Sequence, residues 1–451
     1  MRQPRGGIVL LALAALALFA LARHPATPRA ATTLPLPGRP LAIAIDADTN
    51  RAFIADGANR IDVLDTTTNT LVRSVALNTR PLGLLIDARS QHVLALGAPR
   101  GGLSVLDARS GLLLSTTGPR LRPLAMAVDA RAGRAFIAGD DSGQGEVSMF
   151  DTRSGALLHT VGGAASSPHG VMLSPVNTVG DGPIGVDEAA GRVFAVGERV
   201  TMLDARSGRV LRTIRGQPSW TEPWSPKPWA IAIVPSPCGR AGGNVFVGDS
   251  SATTLIDATT GRIVRTIRVG VSAEGLAADA RTCRVFATTA DDTGVRVLDS
   301  RDGRVIRTVS VGTLTGAIAV DATARRNAPD GRVFVATLSG VRVLNARTGR
   351  VDRTMRTGSV PGAIAVDART GRAYVIPEPL AGLDGIDGID GIDGIDGIDG
   401  IDGIDGIDGI DGSSVGPIDG LVSTLRRWFP LLPRPVTRDR ANVVVALDPA
   451  A

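Results

Sequence analysis

The stretch Glu274 to Val309, EGLAADARTCRVFATTADDTGVRVLDSRDGRVIRTV, constrains the fold most, because versions of it recur from one end of the chain to the other. It holds four short apolar, β-branched runs: Gly275 to Asp279, Arg284 to Thr288, Val295 to Asp299 and Arg304 to Val309. Between the first two and again between the last two, an Asp is followed four residues later by a turn position, as in Asp299 and Gly303. That spacing predicts tight hairpins, with Asp bonding its local backbone and Gly supplying a positive φ. One copy is then a four-stranded antiparallel sheet. Alone it would leave apolar faces and two open edges, so copies must stack.

Two rulers count the copies. The Asp closing the third strand recurs as Asp65, Asp107, Asp151, Asp204, Asp257, Asp299 and Asn345, with Asp448 as a displaced eighth. The Asp closing the first strand recurs as Asp46, Asp87, Asp129, Asp187, Asp279, Asp321 and Asp367, with Val234 in its place in the fifth copy. Asn50 and Asn69 stand where Gly is usual, and Asn is the next residue to tolerate the left-handed region. Units of this size with four strands each fit propeller blades. The last copy ends at Asp448 without a fourth strand, and Ala31 to Pro37, ATTLPLP, is placed to supply it. The expected fold class is therefore all-β: a single β-propeller of four-stranded antiparallel blades, eight by this count, closed by the N-terminal strand.

The segments PGAIAVDARTGRAYVI (Pro361 to Ile376) and GVRVLDSRDGRVIRTVSVG (Gly294 to Gly312) resemble the YVTN β-propeller repeats of YncE-like proteins, over roughly residues 31 to 376 and 442 to 448. The resemblance implies a propeller usually of seven blades, so the count of eight departs from the family pattern. The matching residues are strand and turn residues and imply fold more than function.

Met1 to Ala22 has Arg2 and Arg5 ahead of an uninterrupted apolar run, Gly6 to Ala22. This predicts export, through a signal peptide or a short membrane anchor within residues 1–30, with residues 31–451 forming the propeller. Localisation is expected to be extracytoplasmic, secreted or anchored at the cell envelope. Cys238 and Cys283 are the only cysteines and fall in equivalent turns of adjacent copies, so a disulfide between them is expected. Aromatics make up 3% of the chain, which predicts a core of Val, Ile, Leu and Ala. The net charge is +5, with Lys227 the sole lysine; a GC-rich genome accounts for so much Arg without a ligand.

In such a ring the uniform Asp-to-Gly turns share one face, and the irregular connections share the other, where binding usually resides. That second face is expected to carry His169 in one long link and Trp220, Trp224 and Lys227 in the next, leading into Trp229. These five are the candidate ligand or partner site, the tryptophans as a stacking platform or as packing for the ring. Arg73, Arg212, Arg265, Arg307 and Arg353 occupy equivalent places on fourth strands, where the second and third copies have Ser115 and His159. They read as protection of an exposed edge, or as a rim for a polyanion or anionic lipid. Residues 377–441 interrupt the last copy and include nine Ile-Asp-Gly units, Ile386 to Gly412, expected as a tolerant surface loop.

Missing chemistry narrows the function. There is no Cys-x-x-Cys-His haem site, no Gly-x-Ser-x-Gly elbow, no phosphate loop and no carboxylate pair, and the four histidines lack ligand spacing. Turns such as Asp257-Ala-Thr-Thr-Gly261-Arg resemble quinoprotein dehydrogenase repeats, which place a Trp where Val or Ile stands here. The expectation is a noncatalytic, monomeric scaffold with no catalytic residue, metal or cofactor, binding an envelope protein or other ligand. An enzyme of lyase or quinoprotein type acting at the central channel, and binding of nucleic acid by the Arg rim, are the alternatives.

Overall fold

The computed structural model describes residues 31–98, 102–118, 122–141, 144–163, 184–197, 199–215, 230–236, 238, 243–249, 252–267, 273–289, 294–312, 314–326, 328–377 and 443–449. Every regular element among them is a strand, and the strands form eight four-stranded antiparallel sheets. The first blade is typical: an inner strand Pro40–Asp46, then Arg51–Asp56, Arg60–Asp65 and an outer strand Thr70–Ala76, in spatial order. Blades two to seven repeat this plan. The eighth takes Pro361–Val366 and Ala373–Pro377, then Val443–Leu447, and borrows Thr32–Pro35 from the N-terminus as its outer strand. Thr32 stands opposite Ala446, and Pro35 opposite Val443. Both prolines of the segment lie at or beyond this exposed edge, where a missing N–H costs no ladder bond.

The core is the set of junctions between blades. Apolar side chains of the described residues fall into eight clusters, each drawn from two neighbouring blades. A blade alone would expose both faces, so each is stable only between its neighbours. Composition misled on one point. Although aromatics are few, Phe53, Phe136, Phe194, Phe246, Phe286, Phe334 and Tyr374 take the same register on second strands and are fully buried. Only blade two differs, with Leu94 there. Seven of the eight blades thus place one large ring at this register inside a junction.

The hairpin turns follow the predicted chemistry. Asp107 N–H to Leu112 O and Gly111 N–H to Asp107 O close one such turn, with Gly111 at φ 70°. Asn50 and Asn69 sit at 55° and 57°, as their places in the Gly series require, and Gln91 and Cys283 adopt the same region at 58° and 55°. Among the described residues no helix is long and apolar enough to cross a membrane.

Candidate functional site

Strand direction sorts the loops onto two faces. Inner and third strands end on one face, the turn face; links between blades and between second and third strands lie on the other. Each of these ends falls at or directly before an Asp, except the inner strand of blade five, which ends at Val234, and the third strand of blade seven, which ends at Asn345. The chain leaves the described residues at Gly163, Arg215 and Pro377 and returns at Ile184, Ala230 and Val443, all strand ends on that opposite, connection face. His169, Trp220, Trp224, Lys227 and Trp229 fall in these intervals and lie outside the described residues, as does the Ile-Asp-Gly tract.

The rim arginines are in view. Arg73, Arg212, Arg265, Arg307 and Arg353 share one register, each beside a β-bulge in the outer strand. Three reach across to the next blade: Arg212 donates to Thr260 O at 2.8 Å, Arg265 to Asp302 O at 3.4 Å and Arg307 to Thr348 O at 2.9 Å. In blade two Ser115 makes the same reach, to Ser154 O at 2.9 Å. Each accepting carbonyl would otherwise face solvent at the turn, so these side chains clamp neighbouring blades. Their guanidinium groups are partly committed to the ring itself.

Cys238 and Cys283 form a disulfide with a Cα–Cα separation of 5.0 Å. It ties the first hairpin of blade five to that of blade six on the turn face. Ser300 adds a bond to Cys238 O at 3.0 Å across the same junction.

Carboxylates on the turn face are largely consumed. At the inner-strand ends Asp46, Asp87, Asp129, Asp187, Asp279, Asp321 and Asp367 are buried and accept turn amides. Burial pushes the Asp129 and Asp187 carboxyls above the usual range, against the pull of those amides. The third-strand Asp residues also pair with Arg at the start of the second strand: Arg134–Asp151 at 2.9 Å, Arg192–Asp204 and Arg284–Asp299 at 3.5 Å. Burial pushes Asp151 up, but bonds from Ser154 and Arg153 and the Arg134 charge outweigh it and hold the carboxyl below the usual range.

One feature of this face escaped the sequence reading. The residue two places after the turn Asp is repeatedly arginine: Arg89, Arg109, Arg131, Arg153, Arg206, Arg281, Arg301, Arg347 and Arg369, all exposed. They share the face with the turn carboxylates, and two of them pair with acids, Arg347 with Asp330 at 2.7 Å and Arg301 with Asp299 at 3.9 Å. The Asp-x-Arg spacing was the available signal.

The central channel has a cavity of about 530 Å³ lined by the inner strands, with Ile45, Leu85, Ala278, Val320 and Val366 among its walls and Asp46 and Asp48 at one end. Aliphatic groups dominate it, and the Asp46 carboxylate is already bonded to Asp48 N and Thr49 Oγ1 at 3.1 and 2.8 Å. The converging polar groups that channel catalysis demands do not occur among these lining residues. Among the described residues no group of three His, Cys, Asp or Glu is placed to hold a metal.

A family model described as "Outer membrane protein assembly factor BamB" matches residues 196–376, from the second strand of blade four to that of blade eight. This is a β-propeller repeat protein. BamB from Moraxella catarrhalis shares 16% identity with a TM-score of 0.56, the match covering 77% of this chain and 96% of that one. Sqt1 from Saccharomyces cerevisiae shares 14% identity with a TM-score of 0.58, covering 76% and 93%. The computationally designed Ika8 protein shares 17% with a TM-score of 0.54, covering 76% and 95%. No curated protein matches the sequence. At such identities the likeness to the solved structures is one of fold.

Proposed function

We propose that the chain is an exported, noncatalytic propeller that holds a protein partner in the cell envelope through its connection face. The observation that carries this reading is the division of the ring: a turn face built from repeated, internally bonded hairpins, and an opposite face from which all three long connections depart. A rigid ring that presents irregular loops on one side is suited to recognition. An aliphatic channel supports binding over chemistry. The BamB family match and the likeness to BamB of M. catarrhalis support an envelope setting and a protein partner. So do the disulfide and the apolar run 6–22 ahead of the ring, which fit an oxidising compartment reached by export.

Within this reading residues 1–30 are the leader or anchor, 31–451 the propeller, and 377–441 an insertion in its last blade. Kinship with YncE-like YVTN proteins rests on the repeat segments at Gly294 and Pro361. Trp220, Trp224 and Trp229, with His169 and Lys227, are the proposed contact residues. The test is a pull-down from envelope extract with the native chain and with Trp220→Ala/Trp224→Ala/Trp229→Ala. Loss of the captured partner with an unchanged Tm is the expected result; an unchanged partner set removes this loop from the interface.

A further inference from the structure

The outer wall of the ring is not uniform. On blades four to seven an arginine directly precedes the outer strand and a second follows three residues on: Arg209 and Arg212, Arg262 and Arg265, Arg304 and Arg307, Arg350 and Arg353. On blades two and three those places hold Leu112 and Ser115, then Ala156 and His159, and charge drops out of the wall. Leu112, Leu114 and Leu157 stand there 51%, 51% and 53% exposed, at the end of the outer strands that meets the turn face; Val72, Val210, Leu211 and Ile306 are exposed on other blades too, but there with the rim arginines close in sequence. On the turn face of the same two blades a cavity of about 460 Å³ opens, with Arg89, Arg131 and Arg153 in its lining. Its carboxylates are committed elsewhere. Asp87 accepts Arg89 N, Ser90 N and the Thr152 hydroxyl, while Asp151 accepts Ser154 and Arg134. Glu188, from blade four, is turned onto Ala130 N at 2.9 Å. Four arginines of the lining, Arg89, Arg131, Arg134 and Arg153, thus stand against two carboxylates, an excess of positive charge.

We propose that this edge of blades two and three docks on an anionic phospholipid surface, the leucines entering the interface and Arg89, Arg131 and Arg153 holding headgroup phosphate. Phosphate complements the guanidinium fork, and aliphatic side chains at the same end of the blades match the headgroup–acyl boundary. Topology agrees. Thr32 begins its strand on the turn face, so the chain joins the ring on the side that carries this edge. The apolar run ends at Ala22, and the nine residues from there to Ala31 span at most about 30 Å. An anchored chain would present the turn face to the bilayer at close range.

The test is co-sedimentation of residues 31–451, which contain every strand of the ring, with phosphatidylcholine vesicles made with and without phosphatidylglycerol. Binding is expected only with phosphatidylglycerol. Arg89→Gln/Arg131→Gln/Arg153→Gln should weaken it on the order of a hundred-fold, about five-fold per arginine. Leu112→Ser/Leu114→Ser/Leu157→Ser should weaken it about ten-fold or more at unchanged Tm, since half-exposed leucines contribute little to the fold. Absence of vesicle binding, or binding that neither variant alters, overturns the proposal. So does self-association that the Leu variant abolishes without vesicle binding, which would make the edge an interface between copies. Duplex DNA bound more tightly than vesicles, sensitive to the Arg variant alone, would reassign the patch to nucleic acid. Inorganic phosphate bound as tightly as vesicles, with the Leu variant unaffected, would reassign the cavity to free phosphate.

Discussion

Glycine in the turn between third and outer strands has two separate duties, and the structure distinguishes them. A Cβ on Gly303, at φ 71°, would lie 2.3 Å from Ile267 Cδ1 of the preceding blade. One on Gly208 would lie 2.8 Å from His159 Cδ2, and one on Gly261 2.9 Å from Arg212 Cδ, again across a junction. The first-hairpin Gly191, at φ 63°, meets nothing within 4 Å. Gly303→Ala should therefore cost about 2–4 kcal/mol, from the left-handed backbone plus overpacking, and Gly191→Ala only about 1 kcal/mol. Denaturant melts of the two variants check this; equal losses would mean that the junction yields freely. Sequence spacing revealed the φ requirement at these positions. The close approach was hidden, because the partner lies in another copy and one repeat does not display its neighbour.

At the scale of the strand pair, the turn carboxylates divide into two kinds with opposite pH behaviour. Asp151 joins two strands of blade three through Arg134 and holds a proton less readily folded than unfolded. Its contribution is present above the ordinary carboxylate pKa near 4 and fades as pH falls through the lowered folded value. Asp151→Asn should lose about 1 kcal/mol at pH 7, with the deficit shrinking in acid. Asp187 is the reverse case: burial raises its carboxyl, and its Oδ2 has no hydrogen-bond partner among the described residues. The folded state then favours the protonated group, a stabilisation present below pH 4 and lost as pH rises through the raised value. Asp187→Asn keeps an acceptor for Ala189 and Ala190 and should show a higher Tm than the native chain at pH 7, converging with it in acid. Melting curves across pH 3–7 decide both, and parallel curves would mean that neither carboxylate titrates with folding. The Asp ladder was legible in the sequence as a series. Its split was not, since it depends on which side chain bonds each carboxylate: Arg134 bonds Asp151, while Arg192 acts on Asp187 only through its charge.

Across the whole molecule, blade number and the closing strand were readable, because Asp and Gly recur at fixed offsets and Ala31 to Pro37 stands where an outer strand belongs. The seam itself needed coordinates. Tyr374 of the last blade sends its hydroxyl to Asn69 Oδ1 at 2.8 Å and to Thr66 O at 3.2 Å in the first, and Arg372 reaches the same carbonyl at 3.3 Å. Burial raises that phenol to a pKa of about 12, so it stays a donor across the working pH range. The candidate contact residues His169, Trp220, Trp224, Lys227 and Trp229 were legible only as departures from the repeat, and a departure carries no partner's coordinates. The turn arginines were written in plain residue types, yet only the ring brings Arg89, Arg131 and Arg153 from separate hairpins to one cavity.

The N-terminal strand that completes blade eight also fixes an order of events. Thr33 pairs with Val445, so the first strand to leave the ribosome waits for the last before its edge is covered. Such a distant pairing raises contact order and keeps an unpaired edge available throughout synthesis. Moving residues 31–37 to follow Ala451 through a short Gly-rich linker, and opening the chain ahead of Pro40, would preserve every strand pair while making that closure local. The rearranged chain should refold faster at nearly unchanged equilibrium stability, as stopped-flow refolding would report. An equal or slower rate would show that stacking between blades, and not the final clasp, is what the chain waits for.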